Sequence, residues 1–338
     1  MKKRYLAIAL LFSALALNAA EPFRIMFYNV ENLFDCQHDT LKNDNEFLPT
    51  SVMKWDEAKY NDKLSKISKV IIATSNKNVP DLVGLCEVEN DNCLTDLTKH
   101  SPLREAGYKY LMTESPDQRG IDVALLYQRA TFRPISKDCI RIPSKEIDRN
   151  PTRDILHVTG QIASGDSLDV FVCHMPSRSG GEEQSEPYRL FTAQILKLYA
   201  DSVMAVRKNP NVIIMGDFND YPTNNSIAKV LGATAPSEKN KVETRKLYNL
   251  MDGRSDGTYR YKGEWNILDQ MIVSGNLLNG GNNVSTSYDK AQILKYPFLL
   301  EEDDRYGGDT PSRTYWGNRF HGGYSDHLPI ALDLMINN

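Results

Sequence analysis

The chain has 338 residues, of which 41% are hydrophobic and 25% are charged, a composition typical of a globular protein with one large domain or two small ones. Its formal net charge of −4 excludes a general electrostatic attraction for nucleic acid or anionic membranes. A substrate that carries phosphate would therefore need a local cationic site or a bound metal ion.

The N-terminus predicts a secretory signal peptide over residues 1–20. Residues 2–4 are all basic, the run "LAIALLFSALAL" is apolar apart from one serine, and small residues follow it. The run is shorter than the ~20 residues that span a membrane, so we expect no stable membrane insertion after cleavage. The alternative is a buried N-terminal helix. Cleavage would change the net charge to −7 and deliver the protein to the periplasm or the extracellular space.

Short apolar runs recur through the rest of the chain and predict strands, several of them covered on both faces. In chain order the runs are "FRIMFYN", "DLVGLCEV", "KYLMTES", "DVALLYQ", "ILHVTGQI", "LDVFVCH", "NVIIMGDF", "LDQMIVS" and "LPIALDL".

Two segments predict amphipathic helices between these strands. One starts near Asp56 and places Leu64, Ile67 and Ile71 on one face, and the other covers residues 185–206. Strands dominate and helices come in blocks, which favours a layered α+β sandwich over a strictly alternating fold. No linker divides the chain and no repeat is visible, so residues 21–338 are predicted to form a single domain.

The segment from Gly275 to Gly323 is the least core-like part of the chain. It contains an acidic run at residues 301–304 and then interleaves arginines with aromatic residues: Arg305, Tyr306, Arg313, Tyr315, Trp316, Arg319 and Phe320. Long loops are often functional, and the two interpretations left open are a substrate-facing loop and an ordinary surface excursion. The five cysteines are an odd number and include no C-x-x-C pair, so no zinc site is indicated.

Polar residues stand at the ends of several predicted strands. They are Asn29, Glu87, His174, Asp217 with Asn219, Asp269, and Asp326 with His327. Each alone could be a turn residue, a helix cap or a buried core histidine. Because strand ends at one edge of a sheet converge on one crevice, the set together predicts an acidic, imidazole-rich site. Carboxylates are ligands for Mg²⁺ or Mn²⁺ and imidazoles transfer protons, a combination that suits the hydrolysis of a phosphate ester.

The motifs "YNVENLF", "LCEVEN", "RGIDVALLY", "CHMPSR", "GDFND", "LDQMIVS" and "SDHLP" resemble, in this order, the endonuclease/exonuclease/phosphatase superfamily, a DNase I-like group. The resemblance covers residues 23–335. It implies a four-layered α/β/β/α sandwich of two mixed sheets flanked by helices.

The resemblance also implies a role for each matching residue. Glu87 would be the principal metal ligand, with Asn29 beside it and Asp326 as a further ligand for Mg²⁺ or Mn²⁺. Asp217 would orient or deprotonate the attacking water, and Asn219 would hold the phosphate.

The remaining matching residues concern the imidazoles. His327 would lie at the scissile phosphate and Asp269 would orient it. His174 would act as an acid or contact the phosphate. Asp122, on the substrate-binding side, would orient the His174 imidazole. Arg178 would bind a phosphoryl oxygen.

The resemblance favours a secreted nuclease acting on DNA or RNA, because the His174 and His327 pair is similar to the DNase I-like arrangement. The alternative is a phosphatase or phosphodiesterase acting on a small phosphoester, such as a sugar phosphate, a phosphoinositide or a lipid head group. A non-catalytic binding protein with the same fold is the third interpretation, since a fold does not determine a function. No protein partner is indicated.

Overall fold

The structure is a computed structural model that describes residues 22–75, 77–147, 150–237, 241–280 and 282–337. The predicted signal peptide lies outside the described residues. Within the described ranges, no helix is both long enough and apolar enough to cross a lipid bilayer.

Strands are the main element of the described chain. In order they are β1 Phe23–Leu33, β2 Leu82–Val88, β3 Lys109–Met112, β4 Asp122–Tyr127, β5 Phe132–Ile140, β6 Ile155–Ile162, β7 Ser167–His174, β8 Val212–Asp217, β9 Leu247–Asn249, β10 Tyr259–Tyr261, β11 Glu264–Asn266, β12 Asp269–Ser274, β13 Val284–Ser285, β14 Ala291–Ile293, β15 Leu300–Glu302, β16 Asp309–Pro311, β17 Tyr315–Trp316, β18 Arg319–Phe320 and β19 Ile330–Ile336.

Four α-helices accompany these strands in the described ranges: α1 Glu57–Ala73, α2 Asp91–Thr95, α3 Glu182–Val206 and α4 Gly275–Leu278. Short 3-10 turns cover Asn45–Phe47, Pro102–Ala106, Ser144–Ile147, Tyr288–Lys290 and Pro297–Leu299, and π-helical turns cover Asp96–His100 and Ser226–Leu231.

Two mixed sheets form the centre of the molecule. The first has the order β13-β19-β1-β2-β4-β3, with β14 also paired to β19, and the second has the order β5-β6-β7-β8-β12-β9. In each sheet the two central strands are parallel and are connected through a long helix, α1 in the first and α3 in the second. Their outer neighbours are antiparallel.

Successive side chains of a strand point to opposite faces of its sheet, so the two sheets and their helices enclose three apolar layers. On β1, Ile25 and Phe27 pack between the two sheets, whereas Met26 and Tyr28 pack against α1. On the far side, the second sheet packs against α3. The predicted four-layered sandwich is therefore confirmed.

All nine predicted apolar runs form strands, and both predicted helices form. The Asp56 carboxylate accepts a hydrogen bond from the Lys59 backbone N–H and caps the start of α1. Sequence reading missed β5, an edge strand that contains Pro134 and mostly exposed residues, and thus lacks the apolar signal of a central strand. The five cysteines are unpaired.

The segment from Gly275 to Gly323 is more ordered than its sequence indicated, because it contains the short strands β13–β18. A buried lysine of α1 holds part of it in place. Lys63 Nζ donates to Thr314 Oγ1 at 2.5 Å and to the Tyr324 carbonyl oxygen at 2.8 Å. Lys66 and Lys69, further along the same helix, bond to the Gly322 carbonyl oxygen and to the Tyr324 hydroxyl.

We expect Lys63→Met to lower the free energy of unfolding by roughly 1–3 kcal/mol, since it leaves Thr314 and the Tyr324 carbonyl without their buried donor. Urea denaturation measures this loss. Lys99→Met is the control, because Lys99 is exposed in the turn Asp96–His100, away from this segment, and it should change stability by less than about 0.5 kcal/mol. Equal effects of the two substitutions would contradict a structural role for the buried ammonium.

Candidate active site

The second sheet aligns three of the predicted site residues in direct register. His174 at the end of β7 pairs with Asp217 at the end of β8, and Asp217 pairs with Asp269 at the start of β12. In the first sheet, Asn29 pairs with Cys86, the residue before Glu87. Regular pairing between β1 and β2 breaks after Asn29, where the register shifts. The predicted convergence of strand ends is thus present in both sheets.

Side chains from the two sheets meet across the sandwich. Asn29 Nδ2 donates to Asp217 Oδ2 at 3.0 Å, and Asn29 Oδ1 accepts from the Glu31 backbone N–H. His174 Nε2 lies 3.9 Å from Glu87 Oε1 and 3.8 Å from Asp217 Oδ2. Asn29 Nδ2 therefore holds Asp217 in position, and the role of Asn29 as a metal ligand beside Glu87 stays a prediction.

His327 and Asp269 form the closest contact between the sheets at this site. His327 Nδ1 is hydrogen-bonded to Asp269 Oδ2 at 2.7 Å, while His327 Nε2 points toward Asp217 Oδ2 at 3.7 Å. The ring of Tyr259 packs on the imidazole with 4.9 Å between centroids. Both histidine nitrogens therefore face carboxylates, and the ring has little freedom to rotate.

The two buried histidines have opposite electrostatic environments. Burial lowers the pKa of His174 well below its ordinary value, and the positive charges of Arg153 and Arg119 act in the same direction. Burial also opposes the charged form of His327, but the Asp269 and Asp217 carboxylates outweigh it and raise its pKa well above the ordinary value. Burial raises the pKa of Asp217 as well. The lowered pKa makes His174 a neutral imidazole, and the raised pKa makes His327 an imidazolium.

Backbone strain is concentrated around the site. Glu31, Asn32, Glu87 and Asn219 have positive φ angles of 51°, 60°, 63° and 49°. Such angles are uncommon for residues other than glycine, and asparagine tolerates them best. At Asn219 the turn lets its backbone N–H donate to Asp217 Oδ1 at 2.8 Å. The strain therefore orients groups that face the crevice.

Two arginines at the site were not recognised from the sequence. Arg119 and Arg153 line the same crevice as His174 and Glu87. Arg119 belongs to the motif "RGIDVALLY", so that motif contained a signal, whereas Arg153 lies just before β6 in a segment with no recognisable motif. Arg153 Nη2 donates to the Met175 carbonyl oxygen, and its Nε is buried without a hydrogen-bond partner among the described residues.

The prediction that Asp122 orients His174 is wrong. Asp122 Oδ1 instead accepts from the Thr113 hydroxyl at 2.5 Å and from the Ser115 backbone N–H at 2.9 Å. Within the described part of the chain, His174 Nδ1 has no hydrogen-bond partner. Asp122 is the first residue of β4, so its carboxylate closes the neighbouring turn rather than reaching β7.

Arg178 does not present a free guanidinium to a phosphate. Its Nε donates to the Asn219 carbonyl oxygen at 2.7 Å, its Nη1 donates to Glu182, and its Nη2 donates to Asp220 and Asn224. Arg178 therefore holds the turn that carries Asn219. It also lines the crevice, and its contact with a phosphoryl oxygen stays a prediction.

The crevice formed by these residues has a volume of about 590 Å³. Its donor set fits a hard divalent cation, because carboxylates line it and repel one another in the absence of a positive charge. Glu87 accepts from the Asn32 backbone N–H with Oε2 and presents Oε1 to the crevice. Asp217, Asp269 and His327 also have possible ligand atoms within 4.8 Å of one another. However, His327 Nδ1 and Asp269 Oδ2 are hydrogen-bonded to each other at 2.7 Å, so these two atoms are already paired. Glu87 is thus the better candidate ligand, with Asp326 at the same crevice wall.

Comparison with known proteins identifies the class. The model of the endonuclease/exonuclease/phosphatase family matches residues 24–336, and the chain belongs to this family. Its members are phosphoester hydrolases, so the predicted enzyme class is confirmed. No curated protein sequence matches the chain.

Solved structures share the fold at low sequence identity. The human Nocturnin catalytic domain with bound sulfate is 17% identical, with a TM-score of 0.55 over 94% of this chain and 95% of that one. A mannosyl-6-phosphatase from Bacteroides thetaiotaomicron is 15% identical, with a TM-score of 0.57 over 93% and 100%. D. rerio TDP2 with a single-strand DNA product is 14% identical, with a TM-score of 0.55 over 92% and 98%.

We expect the imidazoles of His174 and His327 to titrate far apart in the metal-free protein. His174 should stay neutral down to acidic pH, because of burial and two arginines, and His327 should stay protonated through pH 7. NMR of the ring nitrogens across pH measures both, and His174→Gln and His327→Gln assign the signals. Two rings that both titrate near the ordinary value of about 6.5 would contradict these environments.

Proposed function

We propose that the chain is an exported, divalent-metal-dependent phosphoester hydrolase whose reaction takes place between the two sheets. The observation that carries this proposal is the cluster of Asp217, Asp269 and His327, buried together and open through His327 Nε2 to a crevice that also holds Glu87. The basic and apolar N-terminal sequence supports export.

Glu87 would hold the metal, and Asp326 would contribute a second carboxylate. When bound, Mg²⁺ or Mn²⁺ supplies positive charge to the phosphoryl oxygens and offsets the repulsion among the acids. Asp326 also accepts from Arg313 Nη2 at 2.9 Å, so one of its oxygens is already oriented.

Asp217 would accept the proton of the attacking water. Its two oxygens are fixed, Oδ2 by Asn29 Nδ2 and Oδ1 by the Asn219 backbone N–H. Burial raises its pKa, which makes it a stronger base than an exposed aspartate. The Asn219 side chain donates to the Met175 carbonyl oxygen with Nδ2, which leaves its Oδ1 as the atom for a further contact.

The two histidines would act on the phosphate from the same crevice. His327, held by Asp269, would donate from Nε2 to a phosphoryl oxygen as an imidazolium. His174, neutral and buried, would contact the phosphate by donating a hydrogen bond from Nε2. The proton for the leaving group would come from the imidazolium of His327, which becomes neutral in that step. Arg119 and Arg153 add positive charge on the His174 side.

Two substrate classes remain as candidates. DNA or RNA is the one that the two-histidine resemblance suggests, and a structural neighbour, TDP2, binds single-strand DNA product. A small phosphoester is the second candidate, and the crevice favours it because Arg178 and Arg313 are already engaged by protein groups. Plasmid nicking and inorganic phosphate release distinguish the two classes.

We expect Glu87→Gln to weaken the affinity for Mg²⁺ or Mn²⁺ by roughly 10–100-fold, since it removes a ligand charge. Hydrolysis should then require more metal and should recover in part when the metal is raised. Activity measured against metal concentration, with chelator as the blank, tests this. Glu105→Gln is the control, because Glu105 is exposed and paired with Arg104 outside the crevice. An unchanged metal requirement would exclude Glu87 as a ligand.

We expect Asp269→Asn to lower turnover by roughly 10²-fold or more while metal affinity changes little, because His327 loses the carboxylate that fixes its tautomer and charge. Turnover at saturating metal and a direct metal titration separate the two effects. An unchanged rate would remove the pair from the mechanism, and a parallel loss of metal affinity would make Asp269 a ligand.

A further inference from the structure

A second cavity adjoins the active-site crevice and has a volume of about 980 Å³. Three short β-hairpins form its walls: β10–β11, β15–β16 and β17–β18. Tyr259, Tyr261 and Asp326 line both this cavity and the crevice, so the two spaces are direct neighbours. We call this cavity the hairpin groove. A substrate whose phosphate lies beside His327 would extend into it.

Aromatic rings face the hairpin groove. Tyr261, Tyr306 and Trp316 are 57%, 45% and 47% exposed, and Tyr199 on α3 is the one other aromatic residue among the exposed large hydrophobic side chains of the described ranges. Each groove ring has a cation near its face: Lys262 on Tyr261, Arg305 on Tyr306 and Arg313 on Trp316. Exposed aromatic rings clustered in a concave site provide flat surfaces for the organic part of a ligand.

The charges of the hairpin groove are balanced. Its cationic residues are Arg260, Lys262, Arg305, Arg313 and Arg319, and its acidic residues are Glu301, Glu302, Asp303, Asp304 and Asp326. The carboxylates therefore equal the arginine and lysine side chains in number.

Two of the arginines are already bound to protein groups. Arg260 donates to Asp303 and to the carbonyl oxygens of Gly263 and Gly307, and Arg313 is paired with Glu31 and Asp326. Three cationic side chains of the groove remain, and three carboxylates remain beside them. The cations are Lys262, Arg305 and Arg319, and the carboxylates are Glu301, Glu302 and Asp304. A nucleic acid strand carries one negative charge per nucleotide and would gain little from such a surface.

The polar groups of the groove suit hydroxyl groups instead. Glu301 is oriented by two neighbours, since it lies 2.5 Å from His321 Nε2 and 3.4 Å from Trp316 Nε1. Oriented carboxylates accept hydrogen bonds from hydroxyls, and guanidinium groups donate to them. A sugar ring presents hydroxyls at its edge and C–H groups at its face, and the C–H groups pack on aromatic rings.

We propose that the hairpin groove binds an uncharged, hydroxyl-rich glycan, which is the organic part of a substrate whose phosphate lies in the crevice. This inference rests on the proposed function for the phosphate only, since the groove itself can be tested by binding. Trp316 and Tyr306 are assigned as its stacking residues.

The test is binding of labelled protein, residues 21–338 with chelator, to an array of neutral oligosaccharides, their 6-phosphorylated counterparts and single-stranded oligonucleotides. We expect glycan binding that Trp316→Ala weakens by about tenfold or more. Tyr199→Ala, an exposed aromatic on α3 outside the groove, should leave binding unchanged. Absence of glycan binding, or oligonucleotide binding that Trp316→Ala abolishes, would overturn the inference.

Hydrolysis then separates this inference from the proposed function. With Mg²⁺ or Mn²⁺, Trp316→Ala should raise the KM for a bound phosphorylated glycan by about tenfold and change kcat much less, whereas Tyr199→Ala should leave both unchanged. Glycan binding without any phosphate release would contradict the proposed hydrolase and leave the groove assignment standing. A KM that is unchanged by Trp316→Ala would overturn the groove assignment even if phosphate is released.

Discussion

The structure depends on polar side chains that are buried at one edge of the sandwich, where each sheet has a central pair of parallel strands. Each sheet has such a pair, β1 with β2 and β7 with β8, and the four strands carry Asn29, Glu87, His174 and Asp217 at the same edge of the sandwich. Two contacts cross between the sheets. Asn29 on β1 donates a hydrogen bond to Asp217 on β8, and Glu87 on β2 lies 3.9 Å from His174 on β7. Buried polar groups need partners, so each sheet supplies the partners of the other.

This arrangement explains why the sandwich and the active site are not separable. The apolar layer between the sheets ends at the crevice, and the outermost cross-sheet contacts are hydrogen bonds instead of apolar packing. Positive φ angles at Glu87 and Asn219 turn polar groups toward the crevice, and a packed scaffold is required to hold such angles. The lysines of α1 extend the same scaffold outward, because they fix the segment that leads to Asp326 and His327.

Local signals in the sequence predict the strands and the polar residues at their ends, whereas the four layers are implied by the family resemblance. A run such as "NVIIMGDF" contains an apolar strand and the acid at its end, so the strand and its functional residue are recognised together. Partners that lie far apart in the chain leave no such signal. The bond from Asn29 to Asp217 joins residues 188 positions apart and leaves no mark in the sequence, and Asp122, which is predicted to orient His174, bonds to Thr113 and Ser115 instead. Arg153 was missed, since one arginine before a strand resembles any surface cation.

The hairpins of residues 259–320 border two spaces, the crevice and the hairpin groove. Tyr259 contacts both, because its ring packs on His327 while its strand forms one wall of the groove. His174, Asp217 and Asp269 lie on buried strands of six to eight residues, and His327 lies just before β19. The groove is instead built from strands of two or three residues with exposed tips. Changes of sequence in such hairpins alter the rings and charges that meet the substrate without disturbing the buried pairs at the phosphate. The family match covers the long strands and supports phosphoester hydrolysis, whereas the proposed choice among phosphoesters rests on the short hairpins.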